Sequence, residues 1–274
     1  MAVPRSLIIF SFGEIILLAL IATPLIVLQF TEPHQSGFFP GDESIAYPQR
    51  PNTVSMVLAA FFSLAAPCLA YFVLEIYIAF RGKFPRDPET GLPSVILHLY
   101  KLLGMSAVSF VAMLLIVQVG KETIGSLRPF FLEACVPVNI TSNNYQPKIF
   151  CSADNARLIE EARMSFPSGH SACSVWGATI TSIYLQLRFP KSSAIMLKAF
   201  WQTALFTIAF YICLTRIQDN WHRAADVITG SVLGVLASTM TFWTPAGKSI
   251  VEESLRMREE EAALNEASIP LSSM

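Results

Sequence analysis

Charge is scarce in this sequence. Asp, Glu, Lys and Arg make up 14% of its 274 residues, whereas a soluble domain carries about 25%. Lipid cannot solvate charge, so the shortage is what a bilayer-embedded chain requires. The net charge of -1 leaves no overall field to draw in nucleic acid, and any anion must be held by a local cluster. None of the five cysteines, Cys68, Cys135, Cys151, Cys173 and Cys213, stands in a CxxC or His/Cys cluster, so no structural metal site is expected. Cys68, Cys173 and Cys213 lie inside apolar runs, where a small buried residue is the ordinary role. Cys135 and Cys151 share one polar loop and can form a disulfide if that loop faces an oxidising compartment. Internal repeats and low-complexity segments are also lacking.

What the chain has in abundance is apolar residues, at 53%. Six runs, at 7–30, 54–80, 94–119, 170–187, 199–215 and 223–244, reach or approach the roughly 20 residues that span a bilayer. The expected fold is all-α, a polytopic membrane protein with six transmembrane helices over residues 1–247 and a cytoplasmic tail at 248–274. The first run is too long for a signal-peptide core and is expected to be retained. Basic residues set the orientation. The second loop carries Arg81, Lys83 and Arg86, and the fourth carries Arg188, Lys191 and Lys198, whereas Arg50 in the first loop faces Glu32, Asp42 and Glu43. The positive-inside rule places loops two and four, with both termini, in the cytoplasm. The third loop, about 121–169, then faces outward. Its Asn139-Ile140-Thr141 is a glycosylation acceptor, consistent with that side. The Glu/Arg-rich tail is expected to be a solvated helix with a Ser-rich end.

Polar residues inside the runs need partners. Glu14 and Glu75 are expected to pair with Lys101 or to sit near an interface, and His98 lies at the cytoplasmic end of the third helix. Pro24 and Pro67 are expected helix kinks. Trp201, Trp221 and Trp243 lie near span ends, as interfacial anchors do.

Three polar constellations remain, and helix parity puts all three at the outward face. In the first, Lys121 and Arg128 are seven residues apart, so two helical turns would bring them to one face as an anion clamp. Pro129 favours a chain break just after them. In the second, Phe166-Pro167-Ser168-Gly169-His170 opens the fourth helix. Ser168 is a candidate N-cap, Gly169 allows close backbone approach, and the helix N-terminus suits phosphate. In the third, Thr215-Arg216 precedes His222 and Asp226. Those last two are four apart, so a helix would let the carboxylate fix the imidazole tautomer. Taken singly, each pattern also fits rim charges, an ordinary helix cap or a surface His–Asp pair. Together they supply three cations, a helix N-terminus, two histidines and an orienting carboxylate, which is an inventory for phosphoryl transfer.

These residues resemble the motifs of the type 2 phosphatidic acid phosphatase superfamily: Lys-x6-Arg-Pro, then Pro-Ser-Gly-His, then Ser-Arg-x5-His-x3-Asp. Lys121, Arg128, Pro129, Pro167 to His170, Arg216, His222 and Asp226 match, and Thr215 departs, standing where the family usually has Ser. The six runs and the glycosylatable third loop are similar to the animal lipid phosphate phosphatases. The resemblance implies that His222 attacks phosphorus, Asp226 orients it, and His170 protonates the leaving alkoxide and then activates water. Lys121, Arg128, Ser168, Gly169, Thr215 and Arg216 would hold phosphate oxygens. It implies no cofactor and no metal. The substrates would be phosphatidate, lysophosphatidate, sphingosine 1-phosphate or ceramide 1-phosphate, drawn from the bilayer, and the chain could form a homo-oligomer. A non-catalytic lipid-phosphate-binding relative, a diphosphate lipid phosphatase and a transporter are the competing readings. The two histidines favour an enzyme, and the position of the charges at span ends disfavours a transport path.

Overall fold

The computed structural model describes residues 5–82, 86–87, 91–140, 142–189 and 195–267. Lys83, Thr141, Lys191 and the Ser-rich end of the tail lie outside the described residues. Each of the six apolar runs forms a helix: α1 (Arg5–Leu28), α2 (Met56–Arg81), α3 (Ser94–Ile124), α6 (Gly169–Arg188), α7 (Ile195–Gln218) and α8 (Ala224–Thr241). Two short helices, α4 (Phe131–Cys135) and α5 (Ala156–Ala162), and a two-strand ribbon of β1 (Pro137–Val138) and β2 (Phe150–Cys151) lie between α3 and α6. Helix α9 (Pro245–Ala267) follows α8. Among the described residues, α2, α3, α7 and α8 are long and apolar enough to cross a membrane. In such a medium only a helix satisfies every backbone group internally. Pro24 and Pro67 lie inside α1 and α2.

Helix α6 is the axis of the bundle. It packs on α2, α7 and α8, and its run of Ser171, Ala172, Cys173, Ser174, Gly177 and Ala178 is buried. A helix surrounded by others can be rich in small polar residues that would be unsuitable against lipid. The small residues also set the spacing. A Cβ on Gly177 would collide with the Ser63 backbone of α2, and Cβ atoms on Gly230 and Gly234 would collide with the Ser168 and Ala172 carbonyls of α6. The Gly230-x-x-x-Gly234 face thus lets α8 meet the first turns of α6 backbone to backbone. Around this contact, Tyr71, Leu102, Met113, Trp176, Ile180 and Tyr184 form the main core.

A second core lies outside the bundle. Phe38, Ile45, Phe130, Phe131, Cys135, Ala162 and Trp221 gather the first loop, α4, α5 and the α7–α8 loop into a cap. Cys135 and Cys151 are joined in a disulfide across the ribbon. Asn139 is exposed beside it.

Several expectations change. Glu75 does not pair with Lys101: it binds Arg188 at 2.8 Å and His98 at 3.1 Å, because α6 and α3 converge on it inside the bundle. Glu14 meets the Tyr100 hydroxyl instead. The helix of the tail begins at Pro245, before the expected boundary, and it is not solvated all round. Its Ile250 and Ser254 are buried, and Glu253 reaches His98 at 2.8 Å. Trp221 is not an interfacial anchor but is buried in the cap, while Trp201 and Trp243 are exposed.

Candidate active site

Local rules explain where each motif side chain stands. Helix α3 stops at Ile124 because Gly125 takes the left-handed conformation (φ 58°) and returns its N–H to the Lys121 carbonyl at 3.1 Å. That is a glycine C-cap, and a side chain at Gly125 would collide with the His34 backbone of the first loop. Lys121 and Arg128 therefore do not share a helix face, as their spacing suggested. Lys121 ends α3, the chain turns, and Arg128 arrives from the loop with its N–H on the Ala162 carbonyl at 2.8 Å. Arg128 stacks 4.6 Å from the Trp221 ring, and its Nε is buried without a hydrogen-bond partner.

Ser168 is the N-cap of α6 as expected, accepting from the Ser171 N–H. A Cβ on Gly169 would meet only ordinary contacts, with Val117 and Met56. Protein packing therefore does not demand glycine there. His170 follows in the first turn, with Nε2 buried and without a partner. Arg216, His222, Lys121 and Arg128 all lie close enough to act on it electrostatically.

His222 lies in the loop before α8, so helix periodicity does not bring it to Asp226. Their nearest approach, Nδ1 to Oδ2, is 3.8 Å, too long for a hydrogen bond. His222 Nδ1 instead lies 2.7 Å from the Ser165 carbonyl. A carbonyl can only accept, so Nδ1 carries the proton and the neutral ring presents a bare Nε2. Asp226 acts one step back. Its Oδ2 accepts from the Ser165 hydroxyl at 2.6 Å and from the Arg223 N–H at 2.9 Å. Its carbonyl accepts from the Ser168 N–H at 3.0 Å. Asp226 thus ties three segments together, its carboxylate holding the Ser165 loop and the start of α8 and its carbonyl the start of α6.

Burial pushes His222 down to about 4, opposed by Asp226 and reinforced by Arg128 and Lys121. The ring is therefore neutral at physiological pH. Burial also pushes Arg128 down to about 10, with Glu161 and Asp226 opposing, so it keeps its charge.

Arg216 is fully buried and tightly held. Its Nη1 donates to Asn52 at 2.6 Å, Nη2 to Asp219 and Thr215 at 3.0 Å each, and Nε to Thr215 at 3.3 Å. Those bonds occupy four of the five guanidinium N–H groups and leave one on Nη1. The Thr215 hydroxyl donates to the Ile212 carbonyl at 2.7 Å, so here it orients Arg216 rather than offering a proton of its own. Asp219 also accepts from the Thr53 N–H and hydroxyl, both at 2.8 Å.

Sequence reasoning missed Asn52, Ser165 and Asp219. Asp219 sits three residues from Arg216, a spacing that could have been noticed. Asn52 and Ser165 carry no local signal, since their partners are far along the chain. His34 is exposed on the first loop, and His98 lies at the other end of the bundle.

Residues 99–249 match the family model described as the PAP2 superfamily. A rat protein named phospholipid phosphatase 2 is 28% identical over 85% of this chain and 84% of its own length. The human protein of that name is 29% identical over 85% of this chain and 81% of its own. A Caenorhabditis elegans phospholipid phosphatase homolog is 32% identical over 84% and 71%. A Drosophila melanogaster relative is longer, and this chain spans 60% of it at 29% identity. No solved structure matches significantly.

Proposed function

This chain belongs to the PAP2 superfamily and is a lipid phosphatase, and from that premise we propose that it removes phosphate from lipid monoesters without metal, through a phosphohistidine. The observation that carries the reading is the 2.7 Å contact of His222 Nδ1 with the Ser165 carbonyl. The Ser165 carbonyl holds Nδ1–H and leaves Nε2 as a bare nucleophile beside Arg128, Lys121 and His170.

In the first step His222 Nε2 attacks phosphorus and the bond to the lipid oxygen breaks. With the phosphate dianion beside it His170 carries a proton, and it gives that proton to the departing alkoxide. Positive charge grows on the His222 ring, and the Ser165 carbonyl, backed by Asp226, stabilises it. Lys121, Arg128, the remaining Arg216 N–H, and the Gly169 N–H at the α6 N-terminus take the equatorial oxygens. In the second step His170 takes a proton from water, which attacks phosphorus, releasing phosphate and restoring His222.

Substrates on this reading are phosphatidate, lysophosphatidate, sphingosine 1-phosphate and ceramide 1-phosphate. All six long apolar helices, including α1 and α6, would cross the membrane. The cap would face the exterior or an organelle lumen, in the plasma membrane or an internal one, with both termini cytoplasmic. The disulfide in the cap fits an oxidising side. A glycan on Asn139 would report that side directly. An Asn139→Gln variant should lose the mass shift that glycosidase removes from the wild type.

The central test is phosphate release from mixed micelles of lysophosphatidate or phosphatidate with EDTA present. The wild type should release phosphate, and His222→Ala should fall by at least about a thousandfold while remaining folded. Activity abolished by EDTA would overturn the metal-free mechanism. No release from any lipid phosphate by a folded wild type would leave a lipid-phosphate-binding protein as the better reading.

A further inference from the structure

Helices α2 and α7 both pack on α6 but scarcely touch one another. They meet at one end, where Val54, Ala59 and Ile212 form a small apolar cluster. Below it they diverge and leave a groove of about 760 Å³. Thr181 and Leu185 of α6 line it between the two helices, and Phe189 and Trp201 line it away from that cluster. Ala65, Ala66 and Ala70 of α2 keep it deep. The stretch of α2 that lines it, from Leu58 to Leu74, rises by about 24 Å, most of the thickness of a bilayer's hydrocarbon core.

The groove starts directly beneath the phosphate site. Ile212 lies one helical turn below Arg216 on α7, and Val54 is two residues from Asn52, the Arg216 partner. His170 and Thr181 fall on one stripe of α6 (positions 170, 174, 177 and 181), so the α6 side of the groove continues the face that carries His170. A charged pocket set one helical turn above an open apolar channel matches a phosphate joined to a hydrocarbon chain. The intervening turn, about 5.4 Å, holds the Val54, Ala59 and Ile212 cluster, and a short polar backbone is of the length needed to pass alongside it.

From this continuity the geometry points to the α2–α7 groove as the seat of the substrate's hydrocarbon chain. The inference rests on the lipid phosphatase reading and adds which face of the bundle receives the lipid. Burial from water is not the source of selectivity, because the chain leaves an equally apolar bilayer. The groove instead fixes where the headgroup stands: a chain lying against Ala66 and Ala70 holds its phosphate at Arg216. Chains too short to reach the alanines gain nothing from it.

Two experiments test this. In the first, Ala66→Phe and Ala70→Phe fill the groove away from the catalytic residues. KM for an eighteen-carbon lysophosphatidate should rise about tenfold, while a six-carbon analogue keeps its wild-type kinetics. Unchanged KM for the long chain in the double variant would overturn the inference. The second uses the wild-type protein, so that poor folding of a variant does not matter. A non-hydrolysable phosphonate analogue of lysophosphatidate carries a photoreactive diazirine at its chain terminus. Irradiation should label peptides from α2 and α7, and excess short-chain lysophosphatidate should compete the label away. Labelling confined to α1 or α8, or labelling of the groove that persists against competitor as it would for bulk lipid or a neighbouring copy, would overturn it. Failure of the wild type to hydrolyse even the six-carbon substrate would instead strike the phosphatase reading, and the labelling would still decide the groove.

Discussion

The first and last turns of α6 both sit in clusters of buried charge, and the two clusters differ in how completely their polar atoms are bonded. At the last residue, Arg188 makes a two-pronged pair with Glu75 at 2.8 Å on each prong. Tyr184 donates to the same carboxylate at 3.0 Å, and His98 bridges Glu75 and Glu253 at 3.1 and 2.8 Å. At the first turn the cations outnumber the anions, and His170 Nε2 and Arg128 Nε are buried without partners. Leaving buried polar groups unsatisfied costs about 1–3 kcal/mol each, so a fold tolerates it where a ligand completes the set. Both clusters set a histidine near an arginine. Unmet hydrogen-bonding capacity is what distinguishes a site from a brace.

The sharpest way to break the comparison is at the braced end. Arg188→Met strands the Glu75 carboxylate and should lower stability by about 3–5 kcal/mol, read by thermal unfolding in detergent. Turnover per folded molecule should be unchanged. The paired change Glu75→Leu with Arg188→Leu should recover most of the loss, since a buried ion pair replaced by apolar packing is often neutral. If Arg188→Met altered turnover as strongly as stability, the two ends would not be separable.

A smaller effect is expected where α8 meets the catalytic end. Gly230→Ala places a methyl group against the Ser168 carbonyl and should cost about 1–3 kcal/mol. Unlike Arg188→Met it should also depress kcat, because it pushes the Asp226 helix away from the helix of His170. Gly41→Ala, with nothing within 4 Å of the added carbon, is the control.

Asn52→Ala removes the 2.6 Å partner of Arg216. About a tenfold fall in kcat/KM is expected, mainly through KM, because Arg216 binds the ground-state phosphate too. An equal loss of thermal stability with unchanged KM would make Asn52 a purely structural contact.

The smallest effect is in pH. Burial pushes His222 down to about 4 in the folded protein, from 6.5 for an ordinary histidine. The nucleophile therefore stays neutral well below 6.5, and the rate of phosphoenzyme formation, followed by rapid quench, should show no His222 limb at pH 6–7. Between those two values the unfolded chain binds more protons than the folded one. This group's contribution to stability is thus full above about 6.5 and is lost as pH falls towards 4. A phosphoenzyme burst that halves near 6.5 in the free enzyme would contradict the buried, neutral ring.

Much of the frame was legible in the sequence because the rules that set it are local. The six helices follow from apolar runs of bilayer length, and Ser168 caps α6 because a hydroxyl before a helix satisfies an exposed N–H. Other expectations failed where a local rule was overridden. Lys121 and Arg128 read as one helix face until the left-handed Gly125 ended α3 between them. The His222–Asp226 spacing read as a direct pair, but His222 precedes α8, and the Ser165 carbonyl comes nearer. Glu75 was open to several partners because nothing in a single helix says which neighbour will face it.

The sequence by itself thus determined that the chain is helical and suited to a membrane, and it placed the motif residues near helix ends, since hydropathy and capping act over one or a few turns. Only the tertiary structure decided that Asn52 and Asp219 grip Arg216, that Ser165 stands between Asp226 and His222, and that Arg188 closes on Glu75. Those partners come from segments brought together when α2, α3, α7 and α8 pack around α6. Backbone-close packing at Gly177, Gly230 and Gly234 fixes that arrangement, and which residues a close helix contact brings face to face is a property of two surfaces, not of either sequence alone.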